Sequence, residues 1–108
     1  MNDIVQQNLE LIKESVLQAV SAEAIYLFGS YAYGTPNDES DIDIYVVVPD
    51  DTTEFGDLYG KILMILRTKK RRVNLDMKLI HSSVFHRRKN GPTLERVVAQ
   101  KGTVLYGL

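Results

Sequence analysis

Asp41 and Asp43 open an apolar run that continues through Ile44, Tyr45, Val46, Val47 and Val48. Residues two apart on a β-strand project from the same face, so the two carboxylates stand side by side. Like charges at that spacing repel, and apolar surroundings drive one of them to keep its proton. A divalent cation resolves the conflict, and oxygen-only ligands favour Mg²⁺ or Mn²⁺. Two solvated edge acids would explain the pair equally well in isolation, but acids opening a core strand need a reason. Asp76 is the acid of a second alternation, in which Val73, Leu75, Met77 and Leu79 point one way and Asn74, Asp76 and Lys78 the other. If the two strands are neighbours, the three carboxylates form a two-metal site. One ion would bind a triphosphate and the other would lower the pKa of an attacking hydroxyl. The bland reading of Asp76 is an exposed acid paired with Lys78 or with an adjacent strand.

Gly29-Ser30 follows directly on a short apolar run, Ala24-Ile25-Tyr26-Leu27-Phe28. Glycine permits a sharp turn and the close approach of a phosphate to backbone amides. The serine hydroxyl and the N–H groups of a following helix start supply donors. A glycine-serine pair alone is weak evidence, since most such pairs are only turns.

These residues need elements to position them. Val5, Leu9, Ile12, Val16 and Val20 recur every three or four residues and predict a first amphipathic helix, with Asp3 and Gln6 at capping-box spacing. Residues 24–28 read as a buried strand. A Gly/Pro/Asn-rich loop at 34–37 leads to a strand over 41–48, where Ile42, Ile44, Val46 and Val48 share one face and Asp41, Asp43, Tyr45 and Val47 the other. Asp51 and Glu54 have capping-box spacing ahead of a helix that buries Phe55, Leu58, Tyr59, Ile62, Leu63 and Leu66. A basic tract at 67–72 precedes a strand over 73–80. Ser82 or Ser83 is a cap for a short helix ending near Arg88, and Asn90-Gly91-Pro92 is a break. Residues 93–101 read as a helix with Leu94, Val97 and Val98 on one side and Gly102 as C-cap, before a short final strand at 103–106. The pattern is α/β (α+β): a mixed sheet with helices on one or both sides.

The 108 residues suit one domain, expected to span 1–108, with 13 basic against 14 acidic residues and a net charge of −1. Overall charge therefore gives no support to non-specific binding of nucleic acid or anionic membrane. Cysteine is absent, which excludes disulfides and thiolate chemistry, and His81 and His86 alone make no typical zinc site. They read as structural or surface residues. Tyr26, Tyr59 and Tyr106 read as core, whereas Tyr31 and Tyr33 lie close to the glycine-serine turn. No apolar run nears the roughly 20 residues of a membrane span, and the acidic N-terminus is unlike a signal peptide. A cytoplasmic location is expected.

Gly29-Ser30, ten intervening residues, then Asp41-Ile42-Asp43 resembles the signature of the DNA polymerase β-like nucleotidyltransferase superfamily. The flanking Leu27-Phe28-Gly29-Ser30-Tyr31-Ala32-Tyr33-Gly34-Thr35, Ser40-Asp41-Ile42-Asp43-Ile44-Tyr45-Val46-Val47 and the tail Thr93-Leu94-Glu95-Arg96-Val97-Val98 are similar to its minimal nucleotidyltransferase branch. The resemblance implies a polymerase β-like core that moves AMP from ATP to an acceptor hydroxyl. Asp41 and Asp43 would hold the metals, and Asp76 would bind the second ion and help activate the acceptor. Gly29 and Ser30, with Ser40 beside the acids, would contact the nucleotide. Members often carry arginine next to the glycine-serine pair, where Tyr31 and Tyr33 stand here. The branch also implies a HEPN-family partner, a toxin neutralised by adenylylation of a tyrosine. Within 108 residues no acceptor-selecting domain is expected, so the acceptor is bound by the core or presented by a partner.

The competing readings are transfer to RNA or to a small molecule such as an aminoglycoside, and a non-catalytic module that neutralises a partner by contact. The presence of all three acids favours activity. The basic tract at 67–72 reads mainly as a solvated loop, with RNA contact or docking to an acidic partner as its functional alternatives.

Overall fold

The computed structural model describes residues 3–33, 41–69 and 74–107, without the side chains of Asp3, Ile4, Ser30 and Tyr33. The Asp3 side chain, the 34–37 loop, Ser40, Lys70, Arg71, Arg72 and Val73 therefore lie outside the described residues.

The chain runs α1 (Asp3–Ala19), β1 (Ala24–Phe28), α2 (Ser30–Tyr33), β2 (Ile42–Val48), α3 (Phe55–Thr68), β3 (Leu75–His81), α4 (Ser82–Arg88), α5 (Leu94–Lys101) and β4 (Thr103–Tyr106). The four strands form one sheet in the order β3-β2-β1-β4. β1 is antiparallel to both β2 and β4, while β2 and β3 run parallel. It is the mixed sheet that the sequence pattern predicts. A parallel pair requires a crossover, and α3 supplies it.

Helices cover both faces. On one face α1 contributes Leu9, Ile12 and Val16, and α3 contributes Leu58, Ile62 and Leu66. They close over Ile25, Leu27, Ile42, Ile44, Val46, Val48 and Met77. On the other, Phe85 of α4 and Val98 of α5 pack with Ala24, Phe28, Tyr45 and Val47. β2 is thus apolar on both faces beyond Asp43, the pattern of a strand buried on two sides.

Several local expectations are corrected. The Asp51/Glu54 capping box does not form: Glu54 is the N-cap of α3 but takes a left-handed conformation (φ 55°) and makes no side-chain cap bond. Neither Ser82 nor Ser83 caps α4, whose N-cap is His81. The Ser83 N–H is instead bonded by the Asp50 carboxylate at 2.8 Å, an acceptor from a distant turn that no local spacing rule detects. On α5 the buried residues are Glu95 and Val98, while Leu94 and Val97 are exposed. Tyr106 is exposed as well, because β4 is an edge strand with one neighbour. Tyr26 and Tyr59 pack against the two cores as expected.

Thr93 caps α5, accepting the Arg96 N–H at 3.2 Å, and Gly102 ends it with its N–H on Val98 O at 2.9 Å. Gly102 is extended, so its glycine answers to crowding: a Cβ there would lie 2.5 Å from Val98 O and 3.1 Å from Leu27 O. His81 Nε2 bonds Thr52 O at 2.7 Å and its ring lies tilted against Phe55 with centroids 4.6 Å apart, while His86 Nε2 meets Glu23 at 3.0 Å on the surface. No helix among the described residues is long and apolar enough to cross a membrane.

Candidate active site

Three strand ends meet at one edge of the sheet. Because β1 is antiparallel to β2 and β2 is parallel to β3, the end of β1 lies beside the starts of β2 and β3. The register sets Phe28 opposite Asp43, and Asp43 opposite Asp76. Strand alternation puts Asp43 and Asp76 on the face covered farther along by α4 and α5, where Tyr45 and Val47 are buried.

Gly29 turns the chain out of β1 with φ +74°, a region that L side chains rarely adopt. Its Cα faces Asp43 so closely that a Cβ would lie 2.1 Å from Asp43 Oδ2. The Gly29 carbonyl accepts the Ala32 N–H at 3.0 Å and starts α2. The backbone turn therefore borders one side of the Asp43 carboxylate and Asp76 the other. The Ser30 hydroxyl and Ser40 lie outside the described residues.

Asp43 holds its proton more tightly than an ordinary aspartate. Burial raises its pKa first, then the charges of Asp76 and Asp41 and hydrogen bonding with Asp76, against an opposing effect from Lys78. Asp41 stands exposed immediately before β2. Its charge reaches Asp43, yet among the described residues no three acidic, histidine or cysteine side chains cluster closely enough to hold a metal ion. Asp43 and Asp76 are thus adjacent in the sheet, while Asp41 stands exposed just before β2. The donors are oxygen atoms only, the type that suits a hard divalent cation, and among the described residues burial and the acidic neighbours of Asp43 outweigh the opposing charge of Lys78.

Behind the acids lies a polar network that sequence reasoning missed. Tyr45 is 3% exposed and Glu95 is 5% exposed. The Tyr45 hydroxyl donates to Glu95 Oε2 at 2.6 Å, and Arg88 Nε pairs with Glu95 Oε1. Burial pushes the Glu95 pKa up, but the bonds from Tyr45 and Arg88 outweigh it and leave it below the ordinary value. Burial and the Glu95 carboxylate hold the Tyr45 phenol strongly protonated. The Tyr45 ring meets Phe28 edge-on with centroids 5.9 Å apart, so the network supports the residue just before Gly29. The only signal in the sequence was a glutamate within a tail otherwise read by its apolar spacing.

A mixed four-stranded sheet with helices on both faces, carrying strand-borne carboxylates beside a left-handed glycine turn, is the polymerase β-like nucleotidyltransferase fold. The chain belongs to the nucleotidyltransferase domain family, whose profile matches residues 9–101. That span includes Gly29, Asp41, Asp43 and Asp76. The structure is similar to the crystal structure of a candidate nucleotidyltransferase from Sulfolobus solfataricus, with a TM-score of 0.55 and 25% identity over 94% of this chain and 81% of that one. No curated protein sequence matches the chain.

Proposed function

We propose that the chain transfers AMP from ATP to an acceptor hydroxyl, using Asp41, Asp43 and Asp76 to hold Mg²⁺. The observation that carries this reading is the row across three strands: the Gly29 turn, Asp43, then Asp76. Divalent ions held by these carboxylates would supply charge neutralisation and lower the pKa of the attacking hydroxyl. Asp43 lies centrally and bridges the two sides of the site. Asp41, exposed just before β2, would complete the ligand set by turning toward the others. Gly29 leaves the backbone open to the β- and γ-phosphates, with the Ser30 hydroxyl as a further donor. On the opposite flank, Asp76 orients the acceptor and helps withdraw its proton. The acceptor oxygen forms a bond to the α-phosphorus, the bond from that phosphorus to the bridging oxygen breaks, and pyrophosphate leaves with its electron pair. The acceptor proton passes through carboxylate to solvent. Catalysis on this plan is positioning and charge stabilisation.

The favoured acceptor is a tyrosine of a HEPN-type partner protein, which would make the chain an antitoxin. Transfer of AMP to a tyrosine hydroxyl suits an acceptor that arrives on another protein. ATP radiolabelled on the α-phosphate, incubated with Mg²⁺ and a co-expressed partner, tests the reading against Asp41→Asn/Asp43→Asn. Label on the partner only with the native chain supports it. Neutralisation of the partner without label, undiminished in the double variant, would favour a non-catalytic binding module, and label on RNA or a small molecule would reassign the acceptor.

A further inference from the structure

Among the described residues, Lys78 is the cation whose charge acts on the row of acids. Lys78 follows Asp76 by two residues on β3 and stands opposite Tyr45, as Asp76 stands opposite Asp43. Asp43, Tyr45, Asp76 and Lys78 therefore share a face of two adjacent strands. Tyr45 is buried under α4 and α5, but Lys78 is on an edge strand and exposed. Among the described residues its ammonium forms no ion pair, and the effect of its charge falls on Asp43. Arg88, on the helix over the same face, is committed to Glu95.

We infer that Lys78 is a substrate-binding residue whose ammonium contacts a phosphate of the nucleoside triphosphate bound over Asp43 and Asp76. This rests on the nucleotidyltransferase reading of the site. A polyanion brought up to carboxylates is repelled by them, and each fixed opposite charge nearby offsets part of that repulsion. Lysine suits the position because its compact charge sits on a flexible stem and needs no single approach geometry. Its place on the Asp76 flank, across Asp43 from Gly29, sets it toward the α-phosphate, the part of the triphosphate nearest the acceptor and farthest from the glycine turn. A lysine that merely solvates an edge strand predicts no dependence of nucleotide binding on its charge.

The experiment is a calorimetric titration of the intact chain, Lys78→Ala and Lys78→Arg with ATP in the presence of Mg²⁺, using adenosine as the uncharged control. Loss of one charge-assisted contact is expected to weaken ATP binding by about tenfold in Lys78→Ala. Lys78→Arg should retain most of the affinity, adenosine binding should not change, and thermal stability should match the native chain. ATP binding that is equal in the native chain and Lys78→Ala overturns the inference and leaves the nucleotidyltransferase reading standing. Equal weakening of ATP and adenosine indicates a distorted site and also overturns it. A native chain that binds no ATP removes the nucleotide reading itself, and the inference with it.

Discussion

Gly29 and Asp43 are in such close approach that the backbone at residue 29 has no room for a side chain: a Cβ there would fall 2.1 Å from Asp43 Oδ2. The glycine is required twice over, by its positive φ and by the carboxylate it faces. Gly29→Ala should therefore cost about 1–2 kcal/mol in backbone conformation alone. It should also displace the Asp43 carboxylate, with a further loss of nucleotidyl transfer on the order of a hundredfold for a misplacement of about 1 Å. Urea denaturation and a transfer assay measure the two effects separately.

Asp43→Asn should abolish transfer and yet stabilise the protein without ligands. The raised pKa means the folded state binds the Asp43 proton more tightly than the unfolded chain does. Ionised Asp43 therefore costs stability at neutral pH, and the cost disappears as pH falls through the raised value. The amide removes the charge, so the melting temperature should rise by about 1–3 °C at pH 7. Mg²⁺ should raise the melting temperature of the native chain and have a smaller effect on the variant, since a ligand stabilises only the state that binds it. A variant no more stable than the native chain at pH 7 would contradict the electrostatic account.

The Tyr45–Glu95–Arg88 network should dominate the polar contribution to stability. Tyr45→Phe leaves a buried carboxylate with one partner fewer, at a cost of about 1–3 kcal/mol. Lys13 and Glu10 also form an ion pair, at 3.2 Å, but the Glu10 side chain is 61% exposed where that of Glu95 is 7%. Lys13→Ala should change stability by less than about 0.5 kcal/mol. Denaturant titration of the two variants compares them directly.

Acid should weaken this network in a defined direction. Glu95 has its pKa lowered below 4.5 in the folded state. Its stabilising contribution is complete above the ordinary glutamate value and is lost as pH falls through the lowered one. The stability difference between the native chain and Glu95→Gln should therefore shrink as the pH is taken below about 4.5. A difference that stays constant with pH would mean Glu95 acts through its shape and not its charge.

Thr93→Ala should cost about 1 kcal/mol by removing the acceptor for the Arg96 N–H at the start of α5. The same change at Glu54, which makes no side-chain cap bond, should cost no more than a few tenths of a kcal/mol. The pair distinguishes a cap that forms from one that sequence spacing alone suggests.

Local pattern was enough for much of this molecule. The stripe of Val5, Leu9, Ile12, Val16 and Val20, the strand over Ala24–Phe28 and the two-faced alternation of β2 all follow from periodicity and chain geometry, which tertiary contacts reinforce here. The places of Asp43, Asp76 and the Gly29 turn were legible for the same reason, whereas Asp41, read as the first residue of the strand, falls just before it. Their strand spacing and their position at strand ends are properties of the chain itself.

Contacts between residues far apart in sequence were set by the fold as a whole. The strand order β3-β2-β1-β4 sets Asp76 beside Asp43, and nothing in either segment specifies that neighbour. Packing of α5 against the sheet buries Glu95 and leaves Leu94 and Val97 in water, because Tyr45 and Arg88 satisfy a carboxylate that composition alone would place outside. Asp50 caps α4 from a turn 33 positions away in the chain, which no local spacing rule reaches. Spacing along the chain determined which side chains share a face. Sheet order and helix docking determined which of them meet, since those depend on the balance of burial over the whole core.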